Sequence, residues 1–532
     1  MSSIVLHNTL TRRKEPLAPI IPGQVSIYLC GPTVYDDCHI GHVAGPILFD
    51  AVARWLRARG LTVRFVNNIT DIDDKIINRA SATGEAWDSI TKRYTEQYFS
   101  YLRRLHVDTI TDHPRCTEYI PHMIRYIEKL ISNGRAYLAA DDVYYDVAKQ
   151  EGYGKLSGRR VEDQLAGTDV VRDSGLRSDA DFCLWKSAKP GEPSWPSPWG
   201  PGRPGWHIEC SVMSTELLGT NFDIHAGGED LKFPHHENEI AQAEAHSGCY
   251  ANCWMHNGLL QYDGRKIGKS DERMKDPAFR DQFRLERLLT TYGPATVRFT
   301  LLQGHYRRPS DFAPHNLGAQ RTALSRLHKL LGPLMQQPSS ASLAHCELTA
   351  ASDPELQAAY ARFCQVMDDD VRTGDACAVL FGLADRARKG NDAPALLLLR
   401  DLGRVLGLFL PGDERDTLVA SDEDPALAAA MTALLVLRQD ARARRDFTVS
   451  DRIRVDLAPI GIAVKDGKDG ATWSSAGADN GERLAVIMAL VSSLAADANQ
   501  RGAAELTTRI RSQLEQAGIV LTADTAPGWK KS

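Results

Sequence analysis

The apolar positions of this chain switch between strand-like runs and helical spacing, and the switching points predict its elements. Val25 to Leu29 is apolar, β-branched or aromatic except for Ser26 and ends at Gly31-Pro32, which predicts a buried strand. From Val43 the apolar residues Val43, Ile47, Ala51, Val52 and Leu56 follow helical spacing to a stop at Gly60. Leu61 to Val66 is a second strand, so the segment is a βαβ unit, and a long amphipathic helix follows over Trp87 to Leu105. The character changes from Cys116 to Arg203. A helix over Tyr119 to Asn133, a Tyr-rich strand at Val143 to Val147 and a Pro/Gly/Trp-rich stretch from Lys189 to Pro204 read as an insertion between two Rossmann halves. The α/β pattern resumes near Gly205. Phe222 to His225 predicts a strand, Gly227-Gly228 a turn, and Pro234 opens a helix that runs to about His246 and stops at Gly248.

Beyond Pro314 the period is helical, with polar breaks near Gln336 to Ser342 and Gly412 to Asp424. A small module then occurs twice. Met431 to Trp473 and Met488 to Trp529 align at an offset of 57, pairing Met431 with Met488, Asp440 with Asp497, Arg452 with Arg509, Ile453 with Ile510, Leu457 with Leu514 and Gly461 with Gly518. Each copy reads as helix, turn, helix and a short strand, and the second has lost Arg445, Asp446 and Phe447. The expected division is a first Rossmann half at 1–115, an inserted subdomain at 116–204 and a second Rossmann half at 205–254. A lysine-loop region at 255–315, a helical bundle at 316–412, a C-terminal module at 425–475 and its degenerate second copy at 480–532 complete it.

Composition narrows the function. A chain of 532 residues exceeds one hydrophobic core, and a net charge of −5 excludes a globally basic nucleic-acid coat but not local patches such as Arg438 to Arg445. Ten cysteines are too sparse for a disulfide framework. No charged-then-apolar leader opens the sequence and no apolar run is long enough to cross a bilayer, so the expectation is a cytoplasmic protein without membrane attachment.

Chemistry concentrates in Cys30 to His42. His39-Ile40-Gly41-His42 falls where the predicted helix opens, so unpaired backbone N–H groups and the positive dipole end should face the same space as His39 and His42, a site for polyphosphate. Lys266-Ile267-Gly268-Lys269-Ser270 follows a polar, Gly-containing stretch and predicts a loop whose two lysines close over a triphosphate. Together these elements suit adenylate formation, with histidines holding the phosphates and lysines stabilising the transition state. His235 and Glu239 are four apart on one predicted helix face and either can ligate zinc; Cys30 and Cys210 could complete a Cys₂-His-Glu set, though each cysteine alone reads as core, and His236 ranks second as ligand. Cys249 and Cys253 have near-ligand spacing but read as core.

The segments Tyr28 to Asp36, Cys38 to His42, Asn68 to Ile77, Gly205 to Ser211 and Phe233 to Gln242 resemble the cysteinyl-tRNA synthetase family of class I aminoacyl-tRNA synthetases. The similarity extends through His305-Tyr-Arg307, Met367 to Thr373 and Asp451 to Arg454 to about Trp473. The resemblance implies a Rossmann-type α/β catalytic domain with an inserted acceptor-end subdomain, an α-helical bundle and a small C-terminal α+β module, here duplicated. It implies ATP-dependent charging of tRNA(Cys) with L-cysteine by a monomer, ATP arriving with Mg²⁺ and bound at His39, Gly41, His42 and Lys269. Catalysis falls to His39, His42, Lys266 and Lys269, and one zinc per chain to Cys30, Cys210, His235 and Glu239. Thr33, Trp206 and Asp230 match positions that line the amino-acid pocket. An apolar pocket rejects serine, a near-isostere of cysteine, only about a hundredfold. A zinc–sulfur bond instead stabilises thiolate far below a free thiol pKa of about 8.5. Two departures stand out: Gly268 and Asp271-Glu272-Arg273 alter the lysine loop, and Val43-Ala44-Gly45-Pro46 replaces an arginine that commonly follows the histidine tetrad. The rival readings are a cysteine ligase acylating an amino-sugar and a non-catalytic tRNA-binding paralogue.

Overall fold

The computed structural model describes residues 3–159, 175–267, 271–338, 342–351, 353–390, 392–413, 425–444, 446–467, 470–475, 480–516, 519–522 and 528–531. Two compact units result, Met1–Thr417 and Leu418–Ser532. In the first, the hairpin β1 (Val5–Asn8) and β2 (Arg13–Pro16) precedes β3 (Gln24–Leu29), α1 (Ile40–Ala58), β4 (Thr62–Asn67), α2 (Asp74–Thr83) and α3 (Trp87–Arg104). The expected βαβ unit is present with its boundaries moved by a few residues. Next come α4 (Ile120–Ser132), β5 (Ala136–Ala139), β6 (Asp142–Tyr145), β7 (Phe182–Ser187) and β8 (Gly202–Pro204), the four strands forming one antiparallel sheet. The chain then returns through α5 (Trp206–Leu218), β9 (Phe222–Gly228), α6 (Glu237–Ser247) and β10 (Ala251–Asn257).

The two halves meet in one parallel sheet of order β10-β9-β3-β4. Strands β3 and β9 lie side by side although the antiparallel sheet intervenes in sequence, with Tyr28 opposite His225. All four strands are almost wholly buried toward their C-terminal ends, as expected of a sheet covered on both faces. One apolar core lies among α1, α3 and the helices that follow, and another among β3, α4, the antiparallel sheet, α5 and α6.

After β10, the strands β11 (Leu260–Tyr262) and β12 (Arg265–Lys266) turn through Asp263 and Gly264, both at positive φ, and β13 (Ser310–Asp311) pairs with β11. Helices α7 (Pro277–Asp281), α8 (Leu285–Tyr292), α9 (Pro294–Leu302), α10 (Pro314–Leu331), α11 (Leu343–Ala350), α12 (Pro354–Asp368), α13 (Thr373–Gly390) and α14 (Ala393–Val405) complete the first unit. The second unit holds α15 (Pro425–Ala443), α16 (Phe447–Leu457), β14 (Ile462–Gly467), β15 (Gly470–Ser475), α17 (Asn480–Gln500), α18 (Ala504–Gln516), β16 (Ile519–Thr522) and β17 (Gly528–Lys531). Among the described residues no helix is long and apolar enough to cross a membrane.

Three local expectations need correction. Gly227 and Gly228 continue β9 as paired residues, and the turn falls at Glu229–Leu231. Pro234 lies in an irregular turn over Lys232–His236 with Phe233 extended, so the regular helix begins at Glu237. Arg438 is buried inside the second unit and is unavailable to a surface patch.

Candidate functional site

In a parallel sheet the crevice at the carboxyl ends of the strands opens where the connections diverge, here between β3 and β9. Cys30 follows β3 directly. Its neighbour Gly31 donates its N–H to Asn68 Oδ1 at 2.8 Å, and a Cβ there would lie 1.6 Å from the Asn68 carbonyl oxygen, so only glycine allows the exits of β3 and β4 to press together. Cys210 comes from α5, His235 from the irregular turn, and Glu239 from the first turn of α6.

These four meet. Cys30 Sγ is 3.7 Å from Cys210 Sγ and 3.5 Å from Glu239 Oε1, and His235 Nε2 is 3.1 Å from the same carboxylate oxygen. Tetrahedral zinc with ligand bonds of about 2.0–2.3 Å separates its donors by roughly 3.3–3.8 Å, so the cluster is compatible with that ion. A second set of donors, Cys30, His225, His236 and Glu239, is also within reach of one ion. The surroundings favour the first. A ligating histidine normally donates its other ring N–H, and His235 Nδ1 has His207 Nδ1 at 2.9 Å, whereas His225 Nδ1 is buried without a partner. His225 Nε2 and the Tyr250 hydroxyl instead hold the far oxygen of Glu239, Oε2, at 2.8 and 2.9 Å.

Electrostatics divide the two thiols. Burial opposes the Cys210 thiolate, but the Cys30 thiol and His235 stabilise it and bring the pKa down to about 6; burial pushes Cys30 up. Burial likewise opposes the Glu239 carboxylate, and His225 and His235 overcome it, holding the pKa below the usual range. Behind the cluster, His236 Nε2 lies 3.4 Å from Cys30 Sγ, its Nδ1 is 2.8 Å from His256 Nε2, and His256 Nδ1 is 2.9 Å from Thr9 Oγ1. A Cβ at Gly227 would strike the His236 ring at 2.6 Å. Beside Cys210, the buried Glu209 carboxyl accepts from Cys116 at 2.8 Å and Thr70 at 3.0 Å, and burial pushes its pKa well up.

The opening of α1 differs from its expectation. All four leading N–H groups are paired: His39 N–H donates to His42 Nδ1 and Gly41 N–H to His39 Nδ1, both at 3.1 Å, while Ile40 and His42 donate to the carbonyls of Phe283 and His39. The tetrad caps its own helix. The two rings stack at 3.8 Å. Since each Nδ1 accepts, the neutral tautomers carry their protons on Nε2, leaving two N–H donors for an anion. Partial removal from water lowers both pKa values, and the charges of His39 and Lys75 lower that of His42 further. Lys266 is on β12 rather than in a loop. Gln261 pairs with it in register, and Leu260 of the same hairpin strand lies 3.8 Å from where a Gly41 Cβ would stand, so the hairpin adjoins the tetrad. Gly268, Lys269 and Ser270 lie outside the described residues.

Of the pocket residues, Trp206 stacks on His235 at 4.4 Å, Thr33 bridges to Thr70, and Asp230 is exposed on the turn after β9. Lys75, absent from the sequence expectations, lies 5.8 Å over the Tyr35 ring and 6.0 Å over Trp206. A cavity of about 220 Å³ is lined by Trp206 and His207, by Asp73 and Asp74, and by Lys186 and Arg203 of the antiparallel sheet. Cys249 is half-buried and donates to the Thr220 carbonyl, and Cys253 packs against the core; neither belongs to a metal cluster among the described residues. His207, His225 and His256 escaped the sequence reading, although the histidines of the apolar strands, His225 and His256, were a visible signal.

Residues 16–322 match the family described as tRNA synthetases class I (C) catalytic domain, 362–410 the DALR domain, and 424–473 the cysteinyl-tRNA ligase anticodon binding domain. The chain is 45% identical over 480 residues to a cysteine–tRNA ligase of Laribacter hongkongensis, covering 88% of this chain and 99% of that protein. It is 46% identical over 481 residues to a cysteine–tRNA ligase of Alkalilimnicola ehrlichii, with the same coverage. In fold it is similar to a leucyl-tRNA synthetase of Agrobacterium radiobacter K84, solved with tRNA and LeuAMS, at a TM-score of 0.51 and 12% identity, over 76% of this chain and 86% of that one.

Proposed function

The chain belongs to the cysteinyl-tRNA synthetase family and is a cysteine–tRNA ligase, and from that premise we propose which of its residues carry each task. L-cysteine and ATP give cysteinyl-adenylate and pyrophosphate, and the 3′-terminal ribose hydroxyl of tRNA(Cys) then takes the acyl group. The observation that carries the residue assignment is the convergence of Cys30, Cys210, His235 and Glu239 at the crevice between β3 and β9. Cys30, Cys210, His235 and Glu239 would hold zinc, which when bound would supply a sulfur-seeking Lewis acid that favours the cysteine thiolate over the serine hydroxyl.

His225 and Tyr250 keep Glu239 turned toward the other three donors, and His207 fixes the ring of His235. Trp206, Thr33 and Asp230 line the amino-acid pocket around them. His39 and His42 donate from Nε2 to ATP phosphate oxygens as Mg²⁺ accompanies the nucleotide, with Gly41 allowing close approach. Lys266 and Lys269 close over the triphosphate and offset the charge that grows on the α-phosphate. Residues 116–204 face the acceptor end, supported by the cavity that Lys186 and Arg203 share with Trp206. Residues 316–412 and 425–475 bind the anticodon stem and loop, where the exposed Phe447 stacks on a base. The enzyme acts as a monomer in the cytoplasm.

The test is aminoacylation of total tRNA with labelled cysteine, using metal-replete and chelator-stripped protein. Zinc-dependent charging confined to tRNA(Cys) is the expected result; full charging by metal-free protein overturns the metal assignment.

A further inference from the structure

Residues 480–531 lie beyond the matched anticodon-binding segment, which ends at 473. Their elements repeat those before them: α17, α18 and the hairpin β16–β17 follow α15, α16 and the hairpin β14–β15 in the same order. The repetition reaches the core. At the offset of 57 read from the sequence, Leu427 and Leu484, Met431 and Met488, and Leu434 and Val491 are buried in equivalent pairs on α15 and α17. Ile453 and Ile510, and Leu457 and Leu514, do the same on α16 and α18, and all join one apolar core. Even an ion pair is copied: Arg444 Nε donates to Asp440 Oδ2 at 3.0 Å, and Arg501 Nε donates to Asp497 Oδ2 at 2.9 Å.

The two copies share that core. Helix α15 packs on α17, and each of these also packs on both α16 and α18. Arg501 Nη1 reaches Asp440 Oδ2 across the join at 3.7 Å, and Arg483 Nε donates to the Ile460 carbonyl at 3.1 Å. The first helices of the two copies therefore pack on each other within one chain.

What differs between the copies lies outside the core. Phe447 and Val455 are 56% and 68% exposed on α16, spaced to share a face, and the equivalent residues on α18 are Ala504 and Ser512. The capping Asp446, which accepts from Val449 N–H, becomes Ala503. The apolar packing stripe survives duplication while the exposed aromatic that suits base stacking does not.

We propose that residues 480–531 are a duplicate of the anticodon-binding module retained as its packing partner: α17 covers a face of α15 that fits a module of its own kind, and the tail reads no RNA itself. Two measurements test this. A chain ending at residue 478 is compared with the full chain by light scattering and by the melting of the C-terminal unit. Uncovering the face should lower that melting temperature or drive self-association, and Met431→Asp in the shortened chain should abolish the association. A shortened chain that stays monomeric and melts like the full one overturns the proposal, as does association that Met431→Asp leaves intact. This measurement does not depend on the assigned enzymatic activity. In the full chain, Arg509→Glu with Arg511→Glu should leave KM for tRNA within twofold; a tenfold rise overturns the packing role in favour of RNA binding.

Discussion

Glu239 turns one oxygen to each of two groups of side chains, Oε1 to Cys30 and His235 and Oε2 to His225 and Tyr250. The two groups have different consequences when altered. Cys210→Ala removes a donor and leaves three, so stoichiometric zinc should be lost together with cysteine-dependent pyrophosphate exchange. His225→Ala removes a support of Glu239, so zinc should remain at one per chain with affinity weakened by about 10–100-fold. Metal analysis after dialysis against a graded chelator series separates the two outcomes. Zinc lost from His225→Ala and kept in Cys210→Ala would exchange the roles of the two donor sets.

Helix α1 is held at its start by the histidine caps and at its middle by Asp50. Asp50 is fully buried and accepts from Thr109 N–H and Oγ1 at 3.2 and 2.7 Å, from Arg54 at 2.7 Å and from Arg298. Arg298 belongs to α9 and also donates to the carbonyls of Leu105 and Leu406, so one ion pair ties α1 to three later segments. Burial opposes ionisation of Asp50, but Arg298 and Arg54 outweigh it and depress the pKa. Burial also pulls Arg298 below its usual value, which starts so high that the pair remains ionised at neutral pH. A depressed carboxyl contributes stability that is complete above the unfolded value of about 3.9 and is lost as pH falls through the folded one. Asp50→Asn should therefore cost about 3–5 kcal/mol near pH 7, the penalty for breaking a buried pair. Urea midpoints of the catalytic unit between pH 6 and pH 3 should fall more steeply in the parent than in the variant. Parallel slopes would remove Asp50 from the acid response.

At the scale of the molecule, the catalytic unit and the C-terminal unit have separate apolar cores. Damage to one core should leave chemistry in the other intact. Leu434→Asp places a charge in the C-terminal core, where Leu434 is fully buried. The C-terminal unit should melt earlier, and charging at low tRNA concentration should fall about tenfold, equivalent to 1.4 kcal/mol of tRNA affinity. Cysteine-dependent pyrophosphate exchange, which needs no tRNA, should stay unchanged. Loss of exchange in parallel with charging would show that adenylate formation depends on the C-terminal core.

The strand–helix–strand start and the helices at 87–104 and 120–132 were legible because each depends on local periodicity and nearby stop signals. So was the pairing of His235 with Glu239, four residues apart, which survives the irregular turn between them. Tertiary structure decided the rest. Cys30 and Cys210 are 180 positions apart, and only the adjacency of β3 and β9 brings them together. The same sheet order placed His225 behind Glu239 and set His256 behind His236, contacts with no sequence spacing to announce them. The histidine rings satisfied the N–H groups of α1 because side-chain rotamers, which no periodicity encodes, chose the cap over solvent. Arg438, read from its charged neighbours as part of a surface patch, is buried, which its local sequence does not announce. Short-range pattern determines which elements form; which of their faces meet, and so which side chains become a site, depends on packing across the whole chain.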